Sequence, residues 1–185
     1  MAFLFEPLEI PDVVLIRAAR HEDGRGWFAE TYKRSRFSEH GVSEAFVQDN
    51  HSFSAAEGTL RGLHYQGPPH AQGKLVRCSS GAIFDVAADL RGGSVTYGRW
   101  VAVDLRSEDG TMLWIPAGFA HAFQTLEPAT HVTYKTTAEF DAASESGIRW
   151  DDPGLGIPWP IAKPILSSRD MALPRWQPSA PPFSE

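Results

Sequence analysis

The sequence predicts an all-β fold, a jelly-roll barrel or sandwich with short helices and a proline-rich C-terminal wrap. Short runs of β-branched and aromatic residues follow one another closely from residue 13 to residue 137, and glycine or proline separates them. Eight of the fourteen prolines fall in residues 151–185, and proline cannot donate to the hydrogen-bond ladder of a central strand. We therefore expect the strands to enclose the core and the last segment to cover it from outside.

The predicted elements before residue 60 are short. Residues 13–16 form a β-branched run, and a glycine-rich turn at residues 23–26 leads into a strand over residues 26–32. A helical pattern covers residues 35–41. The polar run at residues 48–52 fits either a strand or a loop that faces solvent.

From residue 60 onward, apolar and polar side chains alternate as they do in β-strands. In residues 83–91, four apolar side chains share one face, and Asp85 and Asp89 lie on the other. The other strands predicted in this half are residues 60–67, 100–105, 112–115, 119–126 and 131–137.

A chain of 185 residues is long enough for one domain with a substantial core, so we expect a single domain over residues 1–185. Residues 176–185 are expected to be a loose tail. One cysteine, Cys78, excludes an internal disulfide framework. With no signal peptide and no apolar stretch of about twenty residues, the sequence favours a cytoplasmic protein without a membrane span.

The net charge of −6 argues against a nucleic-acid partner, because nonspecific binding to a phosphate backbone needs a clustered excess of basic residues. An anionic ligand would have to be held by a few local arginines and lysines. Six tryptophans and eleven phenylalanines suit a packed β core or a stacking surface for a planar ligand. The composition therefore favours an enzyme or a binding protein for a small molecule.

The run at residues 60–67 carries the most chemistry. It has His64 at its middle, Arg61 three residues earlier and Lys74 ten residues later. A histidine with a pKa of about 6.5 can take or give a proton near neutral pH, and an arginine can clamp a phosphate through two hydrogen bonds. This pattern indicates acid–base chemistry on a phosphorylated small molecule. The alternative is that His64 is a hydrogen-bonded structural residue of the strand.

Other polar residues stand out within the strand pattern. Tyr134 shares a strand face with Val132 and Thr136, where it either packs inside the barrel or acts as an acid. His121 follows a Pro-Ala-Gly turn closely, and residues 168–170 have the composition of a surface turn or a helix cap. A metal site is not predicted, because the position two residues after His64 is a glutamine and the chain has no His-x-His pair.

Taken together, these motifs resemble those of the dTDP-4-dehydrorhamnose 3,5-epimerases, which are cupin-type jelly rolls. The resemblance runs from about residue 4 to residue 174, and its motifs follow one another in order along the chain. It is carried by residues 23–28, 46–50, 60–66, 72–74, 85–91, 115–121, 134–137 and 150–153.

The resemblance implies an epimerase without metal or organic cofactor. Its substrate would be dTDP-4-keto-6-deoxy-D-glucose, a 4-keto-6-deoxyhexose linked to thymidine diphosphate, and inversion at carbons 3 and 5 would give dTDP-4-keto-L-rhamnose, a precursor of L-rhamnose. His64 would be the base, and Asp170 would hold its imidazole. Lys74 would lie near the oxygen of the enolate, and Tyr134 would return a proton on the opposite face of the sugar.

The resemblance also implies a set of substrate contacts. Phe140 stands where the family often has a tyrosine that stacks on thymine. Arg61 and His64 differ by an odd number, so a regular strand would point them to opposite faces. Either a bulge near Gly62 intervenes, or Arg61 serves a site across a subunit interface, since the family forms homodimers with exchanged N-terminal strands. The implied contacts are Arg25, Glu30, Gln48, Asn50, Arg61, His121, Phe140, Glu145 and Arg169.

Three alternatives remain open from the sequence. The chain could be a mono-epimerase that inverts only carbon 3 or only carbon 5 for the synthesis of an unusual deoxysugar. It could also be a cupin that binds sugar nucleotides without turnover, or a metal-dependent cupin oxygenase.

Overall fold

The computed structural model describes residues 2–183, whose strands form two large antiparallel sheets. The six-stranded sheet has the order β1 (Phe3–Pro7), β2 (Val14–Ala18), β10 (Thr111–Ile115), β7 (Lys74–Ser80), β12 (Thr130–Thr136) and β5 (Gln48–Ser54). The five-stranded sheet has the order β13 (Glu145–Gly147), β6 (Leu60–Gln66), β11 (Phe119–Thr125), β8 (Ala82–Asp89) and β9 (Trp100–Arg106). A separate hairpin pairs β3 (His21–Asp23) with β4 (Gly26–Phe28).

The two large sheets pack face to face around one apolar cluster. Val76, Leu113 and Val132 enter it from the six-stranded sheet, and Ile83 and Phe123 enter it from the five-stranded sheet. Side chains alternate between the two faces of a strand, so alternation decides which residues of each strand face inward. Beyond the apolar cluster, some of these inward-facing residues are polar. The predicted all-β jelly roll is confirmed.

The N-terminal third differs most from the prediction. The polar run at residues 48–52 is part of β5, so the strand alternative is the correct one. The strand expected over residues 26–32 ends at Phe28, because β3 and β4 pair only with each other and are exposed along their whole length. β1 was not expected from the sequence, and it is held in place by pairing with β2.

The helices are short. α1 (Arg34–Ser38) buries Phe37 against Phe3 and Phe5, with ring centroids 5.2 and 5.4 Å apart. α2 (Ser168–Met171) begins after Ser167, whose side chain accepts a hydrogen bond from the backbone of Asp170. No helix within residues 2–183 is long and apolar enough to cross a membrane.

The proline-rich segment covers the outer face of the five-stranded sheet. Val86 and Ala88 of β8 pack there against Ile157 and Phe183. Phe183 is 9% exposed, and its carbonyl accepts a hydrogen bond of 2.8 Å from the backbone of Gly92. Within the segment expected to be a loose tail, Phe183 is therefore packed on the sheet, whereas residues 177–180 are exposed; residues 184 and 185 lie outside the described chain.

Candidate active site

Two adjacent cavities, of about 110 and 250 Å³, open inside the barrel and share three titratable side chains. His64 comes from β6 in the five-stranded sheet, whereas Lys74 and Tyr134 come from β7 and β12 in the six-stranded sheet. Groups from the two facing sheets therefore meet across one enclosed space. A pocket of this kind, with few convergent polar groups, is the usual form of a small-molecule site.

A bulge in β6 brings Arg61 into the same cavity as His64. Along the pairing with β11, His64 lies opposite His121 while Arg61 lies opposite Phe123, so β6 has one residue more than its partner over this stretch. Gly62 has a φ of +117°, and a Cβ at this position would lie 2.5 Å from the carbonyl oxygen of His121. Of the two alternatives that the odd spacing left open, the bulge near Gly62 is present, and Arg61 reaches the cavity within its own subunit.

His64 is held by a carboxylate from the distant helix α2. Its Nε2 lies 2.6 Å from Asp170 Oδ1, and Ser167 Oγ donates to Asp170 Oδ2 at 2.7 Å. Burial opposes the charge on Asp170, but the hydrogen bonds from His64 and Ser167 outweigh it, so the pKa of Asp170 lies below its usual range. With Nε2 donating to Asp170, the Nδ1 of neutral His64 keeps its lone pair and can accept a proton.

Lys74 is a buried cation, 9% exposed. Its Nζ donates to the carbonyl oxygen of His64 at 3.4 Å. Burial lowers the pKa of Lys74 to about 8, although the carboxylates of Asp85 and Glu145 oppose that shift. The ammonium form is the main form at neutral pH and is lost as the pH rises through about 8.

Tyr134 is a half-buried phenol on the interior face of β12. Burial raises its pKa, and the charge of Glu145 adds to that shift while Arg61 opposes it. Tyr134 therefore remains a neutral phenol at neutral pH, the form that can give a proton.

A second histidine–carboxylate pair lies beside the first. His121 Nε2 is 2.6 Å from Asp85 Oδ1, and both side chains are buried. Burial lowers the pKa of His121 against the pull of Asp85, so its imidazole is neutral at neutral pH. His121 lines the larger cavity, directly across the strand pairing from His64.

The binding residues expected from the sequence fall into two groups. Gln48 is oriented by two contacts, since its Nε2 donates to Asn50 Oδ1 at 2.8 Å and its Oε1 accepts from the backbone of Phe140 at 2.8 Å. Arg169 Nη2 lies 2.6 Å from Glu145 Oε2. Gln48, Asn50, Phe140 and Glu145 line the smaller cavity, and Arg61, His121 and Arg169 line the larger one.

Arg25 and Glu30 are not brought to this site by their own subunit. Neither lines either of the two interior cavities. The side chain of Arg25 is 90% exposed and pairs with Asp23 at 2.6 Å on the free hairpin of β3 and β4. The sequence grouped them with the other contacts through the family resemblance alone.

A larger groove, of about 360 Å³, lies on the outer face of the six-stranded sheet. His51, Arg77 and Thr133 line it, and strand alternation places them on the face opposite Ser52 and Tyr134. The groove therefore lies on the sheet face opposite the two interior cavities and is larger than either, although Asn50 and Tyr134 line both it and the smaller cavity.

Sequence reasoning missed two residues of the site, Ser167 and Asp85. Ser167 stands three residues before Asp170, which is the spacing of a helix N-cap and the only signal for its role. Asp85 is a carboxylate between apolar residues on a central strand, which could have marked it as buried. Within residues 2–183 no group of three or more His, Cys, Asp or Glu side chains is arranged to hold a metal ion.

A cupin-type barrel with a histidine–aspartate pair, a lysine and a tyrosine around one cavity defines an enzyme of the acid–base class. The chain belongs to the dTDP-4-dehydrorhamnose 3,5-epimerase family, whose model matches residues 7–178. The enzyme of that name from Sinorhizobium fredii is 49% identical over 171 residues, which are 92% of this chain and 88% of that protein.

Solved structures of the family agree with the fold. The dTDP-4-dehydrorhamnose 3,5-epimerase of Bacillus anthracis, with TDP and PPi bound, has a TM-score of 0.93 and 42% identity, over 95% of this chain and 100% of that chain. The dTDP-6-deoxy-D-glucose-3,5-epimerase of Legionella pneumophila, in complex with dTDP-4-keto-L-rhamnose, has a TM-score of 0.88 and 40% identity, over 95% and 99%. A 3'-monoepimerase from Streptomyces bikiniensis is 34% identical with a TM-score of 0.86, over 92% and 86%.

Proposed function

We propose that this chain is a cofactor-independent epimerase that inverts carbons 3 and 5 of dTDP-4-keto-6-deoxy-D-glucose to give dTDP-4-keto-L-rhamnose. The observation that carries the proposal is the convergence of His64, Lys74 and Tyr134 from two facing sheets on one interior space, in a chain of this family. Carbons 3 and 5 flank the ketone at carbon 4, so removal of either proton gives an enolate whose charge rests on the ketone oxygen.

His64 is the base of the proposed reaction. Asp170 accepts the hydrogen bond from Nε2, so Nδ1 takes the proton from the sugar carbon. The imidazolium that forms lies beside a carboxylate with a lowered pKa, which stabilises the new positive charge. Ser167 keeps the carboxylate in place through its own hydrogen bond.

Lys74 stabilises the enolate. A buried ammonium that is already in place interacts with a developing negative charge more strongly than water does, because the surrounding protein does not screen it as water would. The proposed position of the ketone oxygen is next to Nζ, in the space that both cavities share.

Tyr134 returns the proton on the other face of the sugar. A single base on one face can only exchange a proton with retention of configuration, so inversion needs a second group opposite the first. Tyr134 and His64 come from opposite sheets and line both cavities, which supports this pairing. The neutral phenol, with its raised pKa, is in the form that donates.

The nucleotide is held at the two ends of the cavity. Arg61 and Arg169 are the proposed partners of the diphosphate, because a guanidinium binds phosphate oxygens through two parallel hydrogen bonds. Phe140 is 55% exposed and lines the smaller cavity, and its ring is the proposed surface on which thymine stacks. Gln48, Asn50, His121 and Glu145 supply polar contacts along the same path.

Incubation of the substrate with the enzyme in heavy water tests the proposed function. We expect deuterium at both carbon 3 and carbon 5 of the product, because each inversion replaces a carbon-bound proton by one from solvent. NMR and mass spectrometry locate the label. Label at a single carbon would establish a mono-epimerase instead, and loss of activity in chelator would establish a metal-dependent enzyme.

The functional unit that we propose is a homodimer in which the hairpin of β3 and β4 reaches the partner's site. Trp27 and Phe28 on this hairpin are 49% and 71% exposed, and large exposed aromatic side chains commonly mark an interface. Arg25 and Glu30 lie on or next to the hairpin and away from their own cavities. The groove on the outer face of the six-stranded sheet is a second surface available to the partner.

Mixed dimers of two inactive variants test this arrangement. Arg25→Ala and His64→Asn are each expected to lower activity when assembled alone. After subunit exchange, roughly a quarter of wild-type activity is expected, because half of the dimers are mixed and one of the two sites in each mixed dimer is intact. A mixture of Arg61→Ala with His64→Asn is the control, since both residues line one subunit's cavity, and it is expected to recover nothing.

The Arg25→Ala mixture could fail to recover activity in a sample that light scattering shows to be dimeric. That result would place Arg25 outside the partner's site.

The cytoplasmic location expected from the sequence stays a prediction.

A further inference from the structure

Asp85 is a buried carboxylate whose hydrogen bonding is incomplete. It has no exposed surface, and its Oδ1 accepts from His121 Nε2 at 2.6 Å, while Oδ2 has no hydrogen-bond partner within residues 2–183. Buried polar atoms are nearly always paired, so such an atom calls for an explanation. Asp89, equally buried on the same strand, shows the usual arrangement, with Oδ1 and Oδ2 accepting from Arg91, Ser94 and Thr96.

Asp85 is also a carboxylate whose charge acts on Lys74, and it forms no salt bridge with a lysine or arginine in the described part of the chain. Glu145, the other carboxylate whose charge acts on Lys74, is paired with Arg169 at 2.6 Å. In the described part of the chain, no lysine or arginine nitrogen lies within 4.0 Å of Asp85. Besides Glu145 and Arg169, the titratable and charged groups that line the cavities with Lys74 are Arg61, His64, His121, Tyr134 and Asp170.

The hydrogen bond between Asp85 and His121 decides which imidazole nitrogen of His121 is left to bind a ligand. Asp85 accepts the hydrogen of Nε2, so neutral His121 keeps a lone pair on Nδ1. Because His121 lines the larger cavity, this nitrogen is set to accept a hydrogen bond from a hydroxyl group of a bound sugar.

We propose that Asp85 is a positioning residue for the epimerisation, acting through Lys74 and His121 from beneath the cavity. Its negative charge keeps Lys74 an ammonium in a buried place, and its contact with His121 holds the imidazole as an acceptor. Oδ2 has no hydrogen-bond donor in the described part of the chain, so the negative charge on this oxygen is not reduced by a hydrogen bond. This inference rests on the proposed function, because it needs Lys74 as the group that stabilises an enolate.

Asp85→Asn tests the inference with little change in shape. The amide oxygen can still accept from His121, whereas the negative charge is lost. In the wild type, kcat is expected to fall as the pH rises through about 8, where Lys74 loses its proton. In the variant this fall is expected about one pH unit lower or more, because an opposite charge close by is removed.

The same variant is expected to lower kcat at pH 7 by roughly twofold if the pKa of Lys74 falls by one unit and by roughly tenfold if it falls by two, because the ammonium fraction falls in that proportion, with KM nearly unchanged. Asp89→Asn is the matched control. It removes a buried carboxylate from the same strand, so it is expected to lower the melting temperature while the pH profile keeps the wild-type midpoint. Asp85→Asn with a wild-type pH profile and kcat would overturn the inference.

A comparison of Lys74→Met with the double variant Lys74→Met/Asp85→Asn covers the case in which Asp85→Asn does not fold. Removing Lys74 alone leaves an uncompensated buried charge, so the double variant is expected to melt at a higher temperature than Lys74→Met. An equal or lower melting temperature would contradict the role of Asp85 as the counter-charge. Failure of the proposed function would show separately, as wild-type enzyme that puts no deuterium into the substrate.

Discussion

Replacing His64 by asparagine is expected to lower kcat by about 10³-fold to 10⁴-fold, which is the upper range for loss of a positioned general base. Asparagine keeps a polar side chain of similar reach, but its amide cannot take a proton at neutral pH. Deuterium exchange at carbons 3 and 5 in heavy water is expected to stop with turnover. The affinity for dTDP is expected to stay within about twofold, because the nucleotide contacts are made by other side chains.

His40→Asn is the control for this substitution. His40 is an exposed histidine on the outer surface, stacked on Phe5 with ring centroids 3.9 Å apart, and its loss is expected to leave kcat unchanged. NMR of substrate incubated in heavy water, with calorimetry for dTDP binding, measures both quantities. Exchange that continued in the His64→Asn enzyme would show that another group is the base.

This experiment also separates an enzyme from a protein that only binds sugar nucleotides. A binding protein has no turnover to lose, so its wild type and its His64→Asn variant would behave alike in heavy water. The proposed enzyme differs from its variant in exchange while binding dTDP equally well.

Replacing Tyr134 by phenylalanine is expected to separate exchange from inversion. The ring and its packing remain, but the phenol that returns a proton to the second face is lost. His64 can still remove a proton and give back one from solvent on the same face. We therefore expect deuterium to enter the substrate with its configuration retained, while inversion falls by about 10²-fold to 10⁴-fold.

Tyr97→Phe is the matched control, since it also removes one phenol hydrogen bond, the 3.1 Å bond from Tyr97 to the carbonyl of Pro178, outside the site. Its rate of inversion is expected to equal that of the wild type. Product configuration read by NMR coupling constants, alongside deuterium content, distinguishes the outcomes. Inversion at the wild-type rate in Tyr134→Phe would remove the phenol from the mechanism.

The two substitutions examine opposite faces of the same sugar ring. Loss of the base stops every exchange at the carbon, whereas loss of the acid stops only the change of configuration. The difference arises because the two groups are on different sheets, with the interior space between them.

Much of the site could be predicted because its groups are marked by local pattern. Alternation along β12 placed Tyr134 on the interior face. The odd spacing of Arg61 and His64 left a bulge or a contact across the subunit interface as alternatives, and the structure shows the bulge at Gly62. The pairing of Asp170 with His64 was expected only from the family resemblance, since 106 residues separate them and no local rule connects them.

Other features could not be predicted from local pattern. In β8, alternation correctly separated Asp85 from Val86, but it could not show that both faces are buried, one in the barrel and one under the C-terminal segment. For the same reason, the sequence did not show that the strand expected over residues 26–32 ends at Phe28, or that Phe183 is buried. Each depends on which distant segment covers the strand or the tail.

By itself, the sequence determined the all-β class, the strand faces and the types of group that carry the chemistry, because these follow from side-chain alternation and from functional groups that each residue carries wherever it lies. Only the tertiary structure decided which groups meet. It placed Asp170 and Ser167 behind His64, and Asp85 against His121. Contacts between residues far apart in the chain arise from packing of whole sheets. Burial then lowers the pKa of Lys74 and raises the pKa of Tyr134 from their ordinary values.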